Sequence, residues 1–288
     1  MKKFSKIVLT VAAVAGIFGL GMTICGVAMG ATFASLDISG SHFSKTLKNI
    51  VRNAEEDMED SWIKNWDDIQ ELKAVKSDEE KDIYLDSDIW EMDISLSAAE
   101  LELEQWDEDG MRIEVSGDKK EDVRIGREDD TLVIEGIGRD KDTYIKVLYP
   151  EDTKFDQVSI EVDAGTVVSN NELSMKELEV SVGAGEFLSE VLIAADEAEI
   201  EVGAGNVELS CLRTVNLEAD CGVGNISLGI DGKESDYEYE LSCAAGMIEI
   251  GNNSYNGLGQ EQIIHNPDAV GEMSLECGVG NITINFND

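Results

Sequence analysis

Apolar and polar residues alternate in six similar segments of the second half of the chain. Before the second glycine of each segment the apolar period is two, which predicts a strand with one buried face. At that glycine the alternation slips by one residue, which indicates a bulge or a corner. Each segment therefore predicts two short strands joined by a glycine bend. The segments are VSIEVDAGTVVS from Val158, LEVSVGAGEFLS from Leu178, AEIEVGAGNVEL from Ala198, LEADCGVGNISL from Leu217, YELSCAAGMIEI from Tyr239 and MSLECGVGNITI from Met273.

The second glycine of each segment is a predicted structural residue, and steps of 20, 20, 19, 22 and 34 residues separate these glycines. A unit of this size cannot bury its apolar face alone, so the copies must stack. We expect an all-β fold, a β-solenoid of the single-stranded β-helix type, in which each repeat of about 20 residues lies on the previous one. A flat antiparallel sandwich is the alternative. The six glycines are Gly165, Gly185, Gly205, Gly224, Gly246 and Gly280.

The chain begins with a long apolar segment. Residues 7–36 carry no charge, and a membrane-spanning helix needs about 20 apolar residues, whereas the apolar region of a secretory signal has about 7 to 15. We expect an uncleaved transmembrane anchor; a cleaved signal and a lipoprotein modified at Cys25 are the alternatives. Three lysines precede the segment, so the positive-inside rule places the N-terminus in the cytoplasm and the rest outside the cell membrane. These lysines are Lys2, Lys3 and Lys6.

Residues 37–81 predict a short helical stalk, since apolar residues recur at helical spacing from Phe43 to Ile69. The apolar stripe either packs on the following domain or supports self-association of the stalk, and the acidic opposite face argues against an interfacial membrane helix. The predicted organisation is a cytoplasmic tail, the anchor, the stalk and a repeat domain over 82–288 with irregular strands followed by Gly-x-Gly repeats. The remaining boundaries are 1–6 for the tail, 82–155 for the irregular strands and 156–288 for the repeats.

The charge of the chain excludes one class of partner. There are 61 acidic and 22 basic residues, for a formal net charge of −39. Nucleic-acid binding needs a basic surface that releases counterions, so we expect no nucleic-acid partner. With 42% hydrophobic residues, the chain has enough apolar material to fold despite this charge.

Part of the negative charge is periodic. Two outward columns of the predicted strands are rich in carboxylates, and stacking would place them on one face. One hypothesis is a strip that binds divalent cations, which prefer carboxylate oxygens; the other is a solvated face that opposes aggregation. The candidate strip residues are Glu161, Glu179, Glu199, Glu201, Glu218, Asp220, Glu240 and Glu276.

Three cysteines take the column that valine fills in the earlier repeats. Cys221, Cys243 and Cys277 are therefore predicted to be buried structural residues, because a free cysteine behaves as a small hydrophobe. A Cys221–Cys243 disulfide is the alternative if the repeats that contain these two cysteines are neighbours in the stack.

Catalytic patterns are absent from the sequence. The Gly-x-Gly pairs lack the third glycine and the following helix of a dinucleotide site, and calcium β-roll repeats need an aspartate that these repeats lack. His42 and His265 are isolated in sequence. We therefore expect no enzyme, no cofactor and no resident metal site.

The Gly-x-Gly repeats behind one N-terminal apolar segment, together with the strand, acidic turn and strand order that ends in YIKVLYP, resemble a bacterial envelope family of candidate adhesins of unknown function. The resemblance covers roughly residues 85–288. It implies a β-solenoid-like fold at the cell envelope and assigns no catalytic residue.

The leading hypothesis for function is a non-enzymatic, membrane-anchored extracytoplasmic protein that acts as an adhesin or interaction scaffold. The alternatives are an envelope-stress sensing or regulatory membrane subunit and a polysaccharide-active solenoid enzyme. The expected partners are the membrane, through residues 7–36, and a protein or cell-surface partner of unknown identity.

Overall fold

The computed structural model describes residue 66 and residues 69–287, with gaps at 73–74, 77–79, 86–87, 119, 138–142 and 257–259. Residues 69–288 form one unit and residues 1–68 another. Within the described residues, no helix has the length and apolar character needed to cross a bilayer. The predicted anchor over residues 7–36 lies outside them.

The described residues form 23 strands, and the alternating sequence pattern is visible in nearly all of them as alternating burial. The first nine strands are β1 (Gln70–Glu71), β2 (Val75–Lys76), β3 (Glu80–Leu85), β4 (Glu91–Leu96), β5 (Glu100–Trp106), β6 (Met111–Gly117), β7 (Val123–Glu128), β8 (Thr131–Gly136) and β9 (Thr143–Pro150).

The six predicted repeats and two further strands supply the other strands. We call the repeats coils 1 to 6 in chain order. Coil 1 is β10 (Lys154–Val162) and β11 (Thr166–Ser169), coil 2 is β12 (Leu173–Val182) and β13 (Glu186–Ala194), and coil 3 is β14 (Glu197–Val202) and β15 (Asn206–Arg213). Coil 4 is β16 (Asn216–Cys221) and β17 (Asn225–Ile230), and coil 5 is β18 (Tyr237–Cys243) and β19 (Met247–Ile250). Strands β20 (Asn253–Asn256) and β21 (Gln260–Ile264) precede coil 6. Coil 6 is β22 (Gly271–Cys277) and β23 (Asn281–Phe286).

These strands build two ladders. The first ladder runs β1–β7–β8–β4–β10–β12–β14–β16–β22–β18–β21. The second runs β2–β3–β6–β9–β5–β11–β13–β15–β17–β23–β19–β20. Pairing is parallel from β8–β4 to β22–β18 and from β9–β5 to β23–β19. It is in register except for one shift in β13–β15, between Ser189 and Leu192, and one in β15–β17, between Leu209 and Leu212. The prediction of an all-β, solenoid-like stack is thereby confirmed, and the antiparallel sandwich is excluded.

The core lies between the two ladders. Each coil contributes inward residues from both of its strands, and equivalent residues of successive coils stack as continuous apolar columns. One column of the first ladder contains Ile160, Val180, Ile200, Ala219, Leu275 and Leu241, and its partner column in the second ladder contains Val167, Phe187, Val207, Ile226, Ile282 and Ile248; all are buried.

The glycine corners bring the backbones of neighbouring coils into close contact. A Cβ atom on Gly205 would lie 2.3 Å from the carbonyl oxygen of Gly185, and one on Gly224 would lie 2.1 Å from that of Gly205. Neither glycine has a positive φ angle, so here the requirement for glycine is space rather than backbone conformation. The same relation holds at Gly165, Gly185, Gly246 and Gly280, where the nearest backbone oxygen would lie 2.2 to 2.5 Å from the added carbon.

The order of the coils differs from the expected one at the C-terminal end. The prediction that each repeat lies on the previous one holds from coil 1 to coil 4. Coil 6, however, lies between coil 4 and coil 5, because β22 pairs with both β16 and β18 and β23 pairs with both β17 and β19. The connection from coil 4 to coil 5 (residues 231–236) is longer than the two-residue connections before coils 3 and 4, as skipping one coil requires.

Antiparallel strands close both ends of the parallel stack. At the N-terminal end β7 pairs with β8 and β6 pairs with β9, and at the C-terminal end β21 pairs with β18 and β20 with β19. These strands cover the backbone edges that the parallel coils would otherwise expose.

The prediction of a helical stalk through residue 81 is wrong at its C-terminal end. Residues 70–71, 75–76 and 80–81 belong to strands β1, β2 and β3. Lys76 and Lys81 are directly paired in the antiparallel β2–β3 pair. The remainder of the predicted stalk, residues 37–65, lies outside the described residues.

A ladder of asparagine side chains runs along the outer face of the second ladder. Asn225 Nδ2 donates to Asn206 Oδ1 at 2.9 Å, and Asn281 Nδ2 donates to Asn225 Oδ1 at 3.0 Å. Asn206 in turn donates to Glu186 at 3.3 Å. The Asn-x-Ser/Thr triplets that begin at Asn225 and Asn281 are thus part of the stacking pattern, with each amide both bound to a neighbouring coil and oriented by it.

Replacing Gly205 with alanine should destabilise the stack, because the added methyl group would collide with the backbone of Gly185 as well as with the side chain of Val182. We expect Gly205→Ala to lower the free energy of unfolding by about 1–3 kcal/mol, measured by urea denaturation. Gly232→Ala is the matched control, since its added carbon would meet no atom closer than 3.5 Å. Equal effects of the two substitutions would contradict the role assigned to the corner.

Candidate functional site

The largest feature with chemical character is the outer face of the first ladder across coils 1 to 6, which we call the acidic face. Its three outward columns contain twelve carboxylates in eighteen positions and no lysine or arginine. In stacking order the columns are Gln157, Glu177, Glu197, Asn216, Glu272, Glu238; then Ser159, Glu179, Glu199, Glu218, Ser274, Glu240; and then Glu161, Ser181, Glu201, Asp220, Glu276, Ser242. All eight residues of the predicted strip lie in the second and third columns.

Asp220 is the most perturbed group of the acidic face. It lies between Glu201 and Glu276 in adjacent strands, and Glu218 lies two residues before it on its own strand. Because aspartate is one methylene shorter than glutamate, its carboxylate lies closer to the sheet, below the ends of the longer glutamate side chains on the neighbouring strands. Burial, followed by the negative charges of Glu276, Glu218 and Glu201, raises the pKa of Asp220 to about 7.

Glu276 shares this environment. Burial raises the pKa of its carboxyl, and the charges of Glu218 and Glu261 raise it further. The two most strongly affected carboxylates of the acidic face therefore belong to coils 4 and 6, which are far apart in sequence and adjacent only because coil 6 is inserted. The sequence pattern places both residues in one predicted column, but the period of the repeats does not state which coils are direct neighbours.

A shallow groove of about 330 Å³ crosses the acidic face over coils 2, 3, 4 and 6. It is lined by Glu179, Glu199 and Glu218, and the strand segments at Ala198 and Leu217 also border it. The groove is open and flat, as expected for a sheet surface. It offers a repeated polar surface rather than an enclosed pocket.

The carboxylates line up but do not converge. Among the residues that the structure describes, no three Asp, Glu, His or Cys side chains are placed to hold a metal ion together. Hard divalent cations usually take six or more oxygen ligands, and the parallel columns form a plane instead of a cage. Cation binding by the strip remains a prediction, which a calcium titration of the melting temperature checks.

The cysteine column is buried and reduced. Cys221, Cys277 and Cys243 stack in that order at directly paired positions, and none is in a disulfide. A Cys221–Cys243 bridge is excluded by the coil order, because Cys277 lies between them. The Cys221 and Cys277 thiols point at the carbonyl oxygens of Gly224 and Gly280, at 3.1 and 3.0 Å, so each thiol fills the inside of a glycine corner.

A second concave feature lies at the C-terminal end of the stack and was not anticipated from the sequence. This cleft of about 630 Å³ lies beside the residues between β17 and β18 and the start of β20. Tyr239, Ile250, Tyr255 and Phe286 supply apolar surface, and Lys233 lies at its rim. No residue pattern in the sequence marks this cleft, since its walls come from both ladders, including strands β20 and β21 at their ends.

The comparisons with known proteins identify the family. A family model described as Toastrack DUF4097 matches residues 89–288. The chain belongs to this family. The family model covers strands β4 to β23 and the acidic face, and the predicted resemblance to a family of candidate adhesins of unknown function is confirmed.

Several solved structures are similar to this Toastrack chain. A candidate cell adhesion protein from Clostridium sporogenes is 15% identical with a TM-score of 0.44, and the match covers 72% of this chain and 99% of that one. A candidate adhesin from Bacteroides fragilis is 15% identical with a TM-score of 0.41, covering 72% and 98%. A candidate lipid-binding protein from Parabacteroides distasonis is 16% identical with a TM-score of 0.35, covering 74% and 98%. No curated protein matches the chain significantly.

The crowding at Asp220 predicts a stability that falls as the pH rises. Its pKa is about 7 in the folded chain and about 3.9 in an unfolded one, so the folded state binds this proton more tightly. The stabilisation is complete below about pH 4 and is lost as the pH rises through about 7, by at most about 4 kcal/mol. We expect Asp220→Asn to flatten this pH dependence and to be more stable than the wild type at pH 8, measured by urea denaturation.

Glu208→Gln is the matched control for that experiment, because it removes one negative charge from the outer face of the second ladder, where Glu208 is paired with Leu188 and Ser227. It should keep the pH dependence of the wild type. A pH dependence that Asp220→Asn leaves unchanged would contradict the assignment.

Proposed function

We propose that this Toastrack chain is a non-enzymatic, membrane-anchored extracytoplasmic scaffold that acts as an adhesin or interaction surface at the bacterial cell envelope. The observation that carries the proposal is the acidic face, a continuous surface on which the same outward columns recur from coil to coil in exact register. A surface of this kind suits a repetitive or extended partner, since equivalent groups are offered at intervals of ~4.8 Å.

The geometry of the acidic face favours binding over catalysis. Its carboxylates are arranged in parallel columns, and the acid pair of a glycosidase instead faces across a cleft that holds one sugar. The outward columns of coils 1 to 6 also contain no aromatic residue on this face, so platforms for stacking sugars are missing there. The described strands thus support a polar contact surface.

The charge of the acidic face limits the chemistry of the partner. A row of carboxylates repels anionic polymers and anionic lipid head groups. The repulsion extends to about the Debye length, which is about 8 Å at physiological ionic strength. A partner is therefore expected to be basic, or to be neutral and rich in hydrogen-bond donors. The same repulsion keeps two acidic faces from packing on each other and helps to keep the domain soluble.

The location in the proposal depends on residues 7–36, whose charge-free length suits a membrane-spanning helix and whose preceding lysines favour a cytoplasmic N-terminus. Such an anchor would hold the repeat domain at the outer surface of the membrane, where a binding scaffold is useful.

A fractionation experiment tests the location. The full chain should sediment with membranes and stay there in alkaline carbonate, and protease added to intact protoplasts should remove the repeat domain. The matched control is a chain with Lys2, Lys3 and Lys6 replaced by glutamate, for which the orientation signal is weakened. Recovery of the wild-type chain in the soluble fraction, or protection of its repeat domain, would refute this part of the proposal.

A binding experiment tests the function. Cells that produce the full chain should retain purified envelope components or bind neighbouring cells more than cells that produce residues 1–81 alone, and added salt should weaken a charge-dependent contact. A variant with Glu179, Glu199 and Glu218 replaced by glutamine keeps the fold and removes charge from the second column, so it should lose a large part of the binding. Equal binding by cells with and without the repeat domain would count against the adhesin role.

A further inference from the structure

Coil 6 occupies a slot that two other coils form. In the first ladder β22 makes six register pairs with β16 and seven with β18. In the second ladder β23 makes six with β17 and four with β19. Coils 4 and 5 therefore have no direct ladder with each other, and the backbone groups that face the slot are paired through coil 6.

The walls of the slot are connected to each other without coil 6. Residues 231–236 lead directly from coil 4 to coil 5. Strands β20 and β21 then cover the far side of coil 5, where β20 pairs with β19 and β21 pairs with β18. The chain reaches the slot only afterwards, through residues 265–270. Coil 6 is thus joined to the rest of the described domain by a single connecting segment and is held in place by non-covalent pairing.

The connecting segment crosses the surface and has few attachments. The Asn266 side chain donates to the carbonyl oxygen of Tyr237 at 2.6 Å, and the Val270 amide donates to that of Asp236 at 2.8 Å. Pro267 limits the segment to an extended or turn conformation, and Val270 is 78% exposed. Such a segment can serve as a hinge, because a change in its direction costs a few surface hydrogen bonds and no buried apolar side chain.

Insertion of coil 6 also places carboxylates beside one another, as at the boundaries between coils 2, 3 and 4. Glu276 of coil 6 lies beside Asp220 of coil 4, close to Glu218, and on its other side are Ser242 of coil 5 and the charge of Glu261 on β21. Insertion of coil 6 therefore buries apolar residues at the expense of bringing carboxylates together, and the balance between its inserted and released states is sensitive to its surroundings.

The slot places three requirements on its occupant. The occupant needs glycine at the corner, since a Cβ atom on Gly280 would lie 2.2 Å from the carbonyl oxygen of Gly224. It also needs buried residues at Met273 and Leu275, and an amide at Asn281 to donate to Asn225. A segment that meets all three conditions on the described chain is coil 6 itself, so a second copy of this chain can supply it.

We propose that coil 6 is an exchangeable element and that the slot of one copy accepts coil 6 of a second copy, giving a reciprocal dimer. Both slots are filled in such a dimer, so the ladders, the apolar columns and the glycine corners are the same as in the single chain. The two copies are joined through their connecting segments, and each contributes a complete acidic face. The partner in this proposal is the chain itself, and it does not depend on the identity of the adhesin's ligand.

Cross-linking between two full-length variants tests the exchange. Ser227 and Thr283 are paired in register on the outer face of coils 4 and 6. One variant carries Ser227→Cys and the other Thr283→Cys, with different affinity tags, and the two are mixed in detergent and treated with a short thiol-specific cross-linker. We expect covalent heterodimers to accumulate over time to at least five times the amount in the control.

The matched control combines Glu208→Cys with Ser227→Cys, since these residues are paired in register between coils 3 and 4, which do not exchange. A single chain that carries both S227C and T283C is the positive control and should cross-link within itself. Heterodimers no more abundant than in the control would overturn the proposal, and so would failure of the positive control, because coil 6 would then not occupy its slot.

Discussion

The close approach of backbones at the glycine corners is the constraint on which the rest of this structure depends. Neighbouring coils of a parallel ladder are ~4.8 Å apart, and the corner of one coil must pass beneath the corner of the next at that same distance. At Gly205 and Gly224 the space left for a side chain is smaller than a methyl group. Once the corners are fixed, both ladders are in register, and the inward and outward columns follow.

The register explains why one face of the domain is acidic and the other is not. In the first ladder, carboxylates stack on carboxylates, and burial together with the neighbouring negative charges raises the pKa of Asp220. In the second ladder the equivalent column contains asparagines that bind one another along the stack. The asparagine side chains stabilise the register among coils 3, 4 and 6, whereas the acidic columns oppose it. The domain therefore combines a face that holds the coils together with one that remains available to solvent and partners.

Much of this fold could be predicted from the sequence, because a period of two and a recurring glycine are local properties. The order of the coils could not be predicted from the period, since every coil has the same inward columns and fits on any other. A signal was nevertheless present: the corner Cys277-Gly-Val-Gly-Asn281 of coil 6 matches Cys221-Gly-Val-Gly-Asn225 of coil 4, while coil 5 has Met247 where both have asparagine. The raised pKa of Asp220 could not be predicted for the same reason. It arises from burial in the stack and from charges that include Glu276, 56 residues away in the sequence. Strands β1 and β2, of two residues each, are too short to show a period at all.

The antiparallel strands at both ends of the stack set a limit on how this domain can change in evolution. A coil added beyond β21 or before β7 would meet a strand of the wrong direction, so growth at the ends is disfavoured. Between coils 1 and 4 every boundary is equivalent, parallel and glycine on glycine, and a duplicated coil there would be accepted on both sides. The distance between the two ends of the domain can therefore lengthen or shorten in increments of ~4.8 Å, and it is a trait that gene duplication can adjust one coil at a time.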